Sequence, residues 1–161
     1  MKALYAALCA AFFAPAAMAQ ELMYWDVAGG WDILVDPSLG NGCLIQAEFT
    51  NGVVVRVGFD RMEGGGYVTA FHDNWGGIVE GESYDILFDL DGQSYEGVAR
   101  GLYLADIPGA DIYFDNPDFL FDIAARQTMT LFNENGEVMA IDLTGTMVAL
   151  DAALTCQEEQ G

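Results

Sequence analysis

The sequence predicts a mainly β fold with a minor helical part: an antiparallel β-sandwich or partly open barrel, carrying two short C-terminal helices. Three observations predict it. Residues 43–60 alternate apolar and polar side chains on both sides of Asn51-Gly52, as in a hairpin with one buried face. A second hairpin is written around Asp91-Gly92. Beyond Asn116 the apolar period lengthens from two residues to about 3.6.

In chain order, residues 1–19 have the parts of a secretory signal. Lys2 precedes an apolar stretch at 3–13, and Ala17-Met18-Ala19 forms a small-x-small cleavage site. Cleavage after Ala19 sends a single β-rich domain, 20–161, to the periplasm or medium, and Cys9 leaves with the signal. No later stretch approaches the ~20 apolar residues of a membrane helix, so no transmembrane segment is expected. Two cysteines remain, Cys43 and Cys156, and an oxidising compartment favours a disulfide between them.

Residues 20–30 show no clear pattern and are expected as an irregular lead-in. Trp31–Asp36 is a first strand, closed by Asp36-Pro37 and the glycines that follow. In the next hairpin Cys43, Ile45, Ala47 and Phe49 share a face with Val53, Val55, Val57 and Phe59 only if Phe49 pairs with Val53. That register requires the loop Thr50-Asn51-Gly52, with Gly52 left-handed, and turns Cys43 inward. Glu63-Gly64-Gly65-Gly66 reads as a flexible link, Tyr67–His72 as a strand and Asn74–Gly77 as a turn. Asp91-Gly92 then joins Ser83–Leu90 to Gln93–Ala99, pairing Phe88 with Tyr95 and Tyr84 with Ala99. Two short apolar runs follow around Pro108-Gly109. Asn116-Pro117-Asp118 starts a helix with Phe119, Leu120, Ile123 and Ala124 on one face. Met129–Phe132 and Val138–Leu143 form a hairpin. The final helix is expected over Thr146–Leu154, with Met147, Leu150 and Leu154 on one side and Cys156 just beyond it. Eight or nine strands result.

Signal cleavage removes one of the 5 basic residues and none of the 25 acidic ones, taking the formal charge from −20 to −21. Such a surface repels nucleic acid and anionic membrane, and it suits a basic protein, an envelope protein or divalent cations. Catalytic material is sparse. The one histidine, His72, has no serine partner in a nucleophile-elbow context, and two distant cysteines do not make a zinc site. No cofactor motif occurs. Acids are plentiful at Asp60, Glu63, Asp73, Glu80 and Glu82, so a two-carboxylate hydrolase acting on envelope glycans is the alternative function, with divalent-cation binding a third. Asp89-Leu90-Asp91-Gly92 lacks the remaining ligands of a calcium loop. Trp25, Trp75 and His72 lie near Gly-rich turns and are the candidate ligand contacts. The expectation is a non-enzymatic binding domain.

Trp31-Asp32-Ile33, Gly42-Cys43, Trp75, Gly81 and Tyr84, with the ending Leu143-Thr144-Gly145, Ala149-Leu150 and Cys156, resemble exported alphaproteobacterial proteins. The stretch 141–154, an apolar strand, a glycine and an Ala-Leu-rich helix, resembles the tail of the invasion-associated locus B family of small periplasmic proteins. The resemblance lies mainly in residues 117–155. It implies a periplasmic β-rich domain and no catalytic residues. This chain lacks mid-domain cysteines expected of that family and is more acidic.

Overall fold

The computed structural model describes residues 21–161; the expected signal segment and Cys9 lie outside them. Ten strands are present: β1 Met23–Ala28, β2 Trp31–Asp36, β3 Gly42–Glu48, β4 Val54–Asp60, β5 Gly65–Phe71, β6 Ser83–Leu90, β7 Gln93–Leu104, β8 Ile107–Phe114, β9 Thr128–Asn133 and β10 Gly136–Asp142. The helices are α1 Phe119–Ala124 and α2 Thr146–Glu159. No helix among the described residues is long and apolar enough to cross a membrane.

The strands form one antiparallel sheet, ordered β1-β2-β3-β4-β5-β8-β7-β6-β9-β10. Laid flat, β2 and β10 would be nearly 40 Å apart at about 4.8 Å per strand. Instead Trp31, Ile33, Met139 and Ile141 share one buried core, and the Trp31 indole donates to the Thr144 carbonyl at 3.3 Å. The sheet is therefore curled over its own apolar face. Its two edge strands do not pair with each other, which makes it a partly open barrel.

Local turn chemistry sets the hairpins. Phe49 and Val53 pair as expected: the Phe49 N–H donates to Val53 O and the Gly52 N–H to Phe49 O, both at 2.8 Å, with Gly52 at φ +83°. The β6–β7 register also places Phe88 opposite Tyr95 and Tyr84 opposite Ala99. Asp91 is left-handed at φ 52°. Its carboxylate accepts from the Gln127 and Thr128 N–H groups, both at 3.0 Å, so the turn also fastens the start of β9.

Five expectations needed correction. Residues 23–28 are a strand, joined to β2 through Gly29-Gly30 at φ +60° and +86°. It was missed because a half-solvated edge strand buries too little to show an alternation. Gly65 and Gly66 belong to β5 and are buried, because the neighbouring aromatic and leucine side chains occupy the space a Cβ would need. Pro108-Gly109 lies inside β8, and the reversal occurs at Ala105-Asp106. The described residues hold ten strands where eight or nine were expected. Finally, α2 runs through Cys156, and it buries Ala149, Leu150, Ala153 and Cys156 rather than Leu154, which is 40% exposed.

The cysteines explain that rotation. Cys43 on β3 and Cys156 on α2 are disulfide-bonded, with Cα atoms 6.2 Å apart and no exposure. Ala149 and Ala153 then face the sheet, and small side chains let the helix lie close to β2 and β3. The tightest approach is between backbones: a Cβ on Gly29 would fall 2.2 Å from Gly145 O. Gln157 completes the docking, accepting from Cys43 N–H at 2.9 Å and donating to Asn41 O at 3.2 Å.

Candidate functional site

An apolar cavity opens where the curled sheet is incompletely zipped. Strand β6 pairs with β7 along its whole length but with β9 only over Leu87–Leu90. Beyond Leu87 β9 runs out: Phe132 is the last residue paired with β6, the chain turns after Asn133 into β10, and a cavity of about 280 Å³ lies beside the uncovered part of β6. Its walls are Val68 and Ala70 of β5, Ile86 of β6, Ala99 of β7, Ala110 and Ile112 of β8, Leu131 of β9 and Val138 of β10. Trp75 and Ile78 line it from the loop before β6. The polar side chains in its lining are Asn74, Tyr84 and Asn133; none is charged. A cleft of this kind takes an apolar group and orients it with a few polar atoms.

The loop over the cavity is held at several points. His72 Nδ1 accepts from the Asn74 N–H at 3.2 Å, and Nε2 faces the Asn51 carbonyl at 3.2 Å. With Nδ1 accepting, Nε2 is the ring nitrogen left to donate to that carbonyl. The His72 and Trp75 ring centroids are 6.3 Å apart. The Val79 N–H donates to the Tyr84 hydroxyl, and the Tyr103 hydroxyl donates to Ile78 O, both at 2.8 Å. The structure thus brings His72 beside Trp75, but of the two only Trp75 lines the cavity. Trp25 is elsewhere: half-buried on β1, its indole donates to Glu159 at 2.9 Å at the end of α2.

The carboxylates lie on the outer face. Strand register aligns Gln46, Arg56, Thr69, Asp111 and Arg100 in one row across β3-β4-β5-β8-β7. Arg56 Nε donates to Gln46 Oε1 at 2.8 Å while its guanidinium lies 5.3 Å from the Phe71 ring centroid. Burial lowers the Arg56 pKa. The Thr69 hydroxyl donates to Asp111 at 2.5 Å, yet desolvation outweighs this bond and raises the Asp111 carboxyl above its ordinary range. Desolvation likewise pushes the Tyr67 phenol up. Asp60 shares a shallow groove with Asp111, but its Oδ1 accepts from the Met62 and Glu63 N–H groups. Glu80 lines the next groove with Arg100 and Asp111, and Asp73 is exposed in the turn after β5. Among the described residues no three His, Cys, Asp or Glu side chains converge as metal ligands.

Most of the cavity escaped sequence reasoning. Ile86, Ala99 and Val138 read as ordinary strand residues, and only the pairing of distant strands exposes them to a common space. The one available signal was Trp75 in a Gly-rich turn.

Neither a family model nor a curated protein matches this chain. Among solved structures, it is similar to invasion associated protein B from Bartonella henselae, with a TM-score of 0.58 at 16% identity over 82% of this chain and 96% of that one. At that identity the likeness concerns the fold. It extends well beyond the C-terminal stretch that carried the resemblance in sequence.

Proposed function

We propose that this chain is an exported, non-enzymatic binding domain, whose ligand is a protein or other envelope component that seats an apolar group in the cavity beneath Trp75. The observation that carries this reading is the uncharged, apolar lining of a 280 Å³ cleft closed on one side by a pinned aromatic loop. Export is supported by the Lys2-to-Ala19 signal pattern. The buried Cys43–Cys156 bond suits an oxidising compartment.

The test uses Nile red, a neutral dye whose emission rises in apolar surroundings. Dye binding accompanied by a change in tryptophan fluorescence is expected. Ala110→Phe, which projects a ring into the cleft from a half-buried position, should abolish the signal while leaving the circular dichroism spectrum intact. Absence of dye binding to the unmodified chain, or equal binding to the Phe variant, would remove the cleft as the binding site.

A further inference from the structure

We infer that the partner binds by strand addition: an extended basic peptide segment pairs with the N-terminal half of β6, its alternate side chains apolar. This rests on the reading of the cavity as the place for an apolar group, and it identifies the partner's chemistry.

The first observation is an unfinished edge. Every residue of β6 from Ser83 to Leu90 has a partner on β7, but β9 covers only Leu87–Leu90 on the other side. Among the described residues no strand pairs with that side of Ser83–Ile86. Backbone groups left open on a strand edge are a template for another chain.

The second observation is that the two faces of this gap differ. Inward lies the apolar cavity. Outward lies a groove lined by Asp85, Leu87, Glu96, Val98 and Glu134. Both hollows include Ile86 and Asn133, so they meet at the open edge. An added strand points successive side chains to opposite faces. One set would enter the cavity. The other would extend over Leu87 and Val98, 48% and 55% exposed, which suit the methylene stems of lysine or arginine. Their charged heads would then meet Asp85, Glu96 and Glu134.

Charge complementarity selects this occupant. The whole chain carries a formal −20, so a cationic segment is attracted from a distance while an anionic lipid surface is repelled. An acyl chain would fill the cavity but leave the strand edge open.

The probe is a capped six-residue peptide alternating leucine and lysine, followed by fluorescence anisotropy of an attached dye. Binding at low salt that weakens as salt rises is expected. Of two peptides N-methylated at alternate amides, the one blocked on the pairing side should bind at least ~tenfold more weakly. Glu96→Lys with Glu134→Lys, both on exposed positions, should weaken binding roughly tenfold. Carbodiimide coupling should join the peptide's lysines to Asp85, Glu96 or Glu134; the chain's only lysine is Lys2, so such amides report the peptide. Nile red binding without peptide binding overturns strand addition and spares the cavity. Failure of both overturns the two together. Equal binding of both methylated peptides, or coupling confined to other carboxylates, also overturns strand addition.

Discussion

Replacing Cys43 and Cys156 together by alanine removes the covalent tie between β3 and α2. The tie spans 113 residues of sequence. In the chain-entropy account, closing a loop of that size destabilises the unfolded chain by about 4.7 kcal/mol. Alanine is the better replacement because both positions are fully buried, and a serine hydroxyl there would add its own desolvation cost. Burial also shields the bond from reductant in the native state, so the double variant gives a cleaner comparison than added thiol. A chain of this size loses about 2–4 °C of Tm per kcal/mol, which predicts a fall of roughly 9–19 °C. The variant should still fold, because the buried face of α2 and the two Gln157 hydrogen bonds remain. A total stability of about 5–15 kcal/mol leaves room for the loss. The assay is thermal unfolding followed by circular dichroism at matched pH and salt. A fall under about 3 °C would refute loop closure as the main effect. A variant unfolded at room temperature would refute the claim that α2 docks through packing as well.

Three further outcomes can be measured by denaturant unfolding. Gly145→Ala should cost at least ~2 kcal/mol, since φ is +80° and the new Cβ would meet Gly29 O; Gly64→Ala, with φ +83° and open space around it, should cost only about 1 kcal/mol. Thr146→Val should be neutral or stabilise by about 1 kcal/mol, because the buried Thr146 Oγ1 finds no hydrogen-bond partner among the described residues. Asp111→Asn should stabilise the fold near neutral pH. The folded-state pKa of Asp111 is raised, so the native state binds its proton more tightly than the unfolded chain does. Its contribution to stability therefore falls as pH climbs from the ordinary carboxylate range through the raised value. The advantage of Asn should vanish below that range, and a constant difference across pH would sink the argument.

The sequence by itself determined what depends on neighbours in the chain. Asn51-Gly52 and Asp91-Gly92 specify their registers because left-handed residues at a tight turn leave few loop lengths, and side-chain alternation chooses among them. Asn116-Pro117-Asp118 is legible as the turn leading into a helix: the Asn116 side chain accepts from the Asp118 N–H at 3.0 Å, although α1 itself begins only at Phe119, with Asp118 as its N-cap. The Cys43–Cys156 pair was legible through elimination: of the three cysteines, Cys9 falls in the expected signal segment, which leaves two. Tertiary structure decided the rest. The order β5-β8-β7-β6-β9 joins segments whose pairing is fixed by shared burial, and no local rule encodes it. The face of α2 followed the disulfide and the close approach of Gly145 to Gly29, not the positions of the largest side chains. The cavity lies where β9 ends short of the first half of β6, and it gathers Val68, Trp75, Ile86 and Val138 from across the chain. Turn sterics act over a few residues, whereas burial is a property of the assembled sheet.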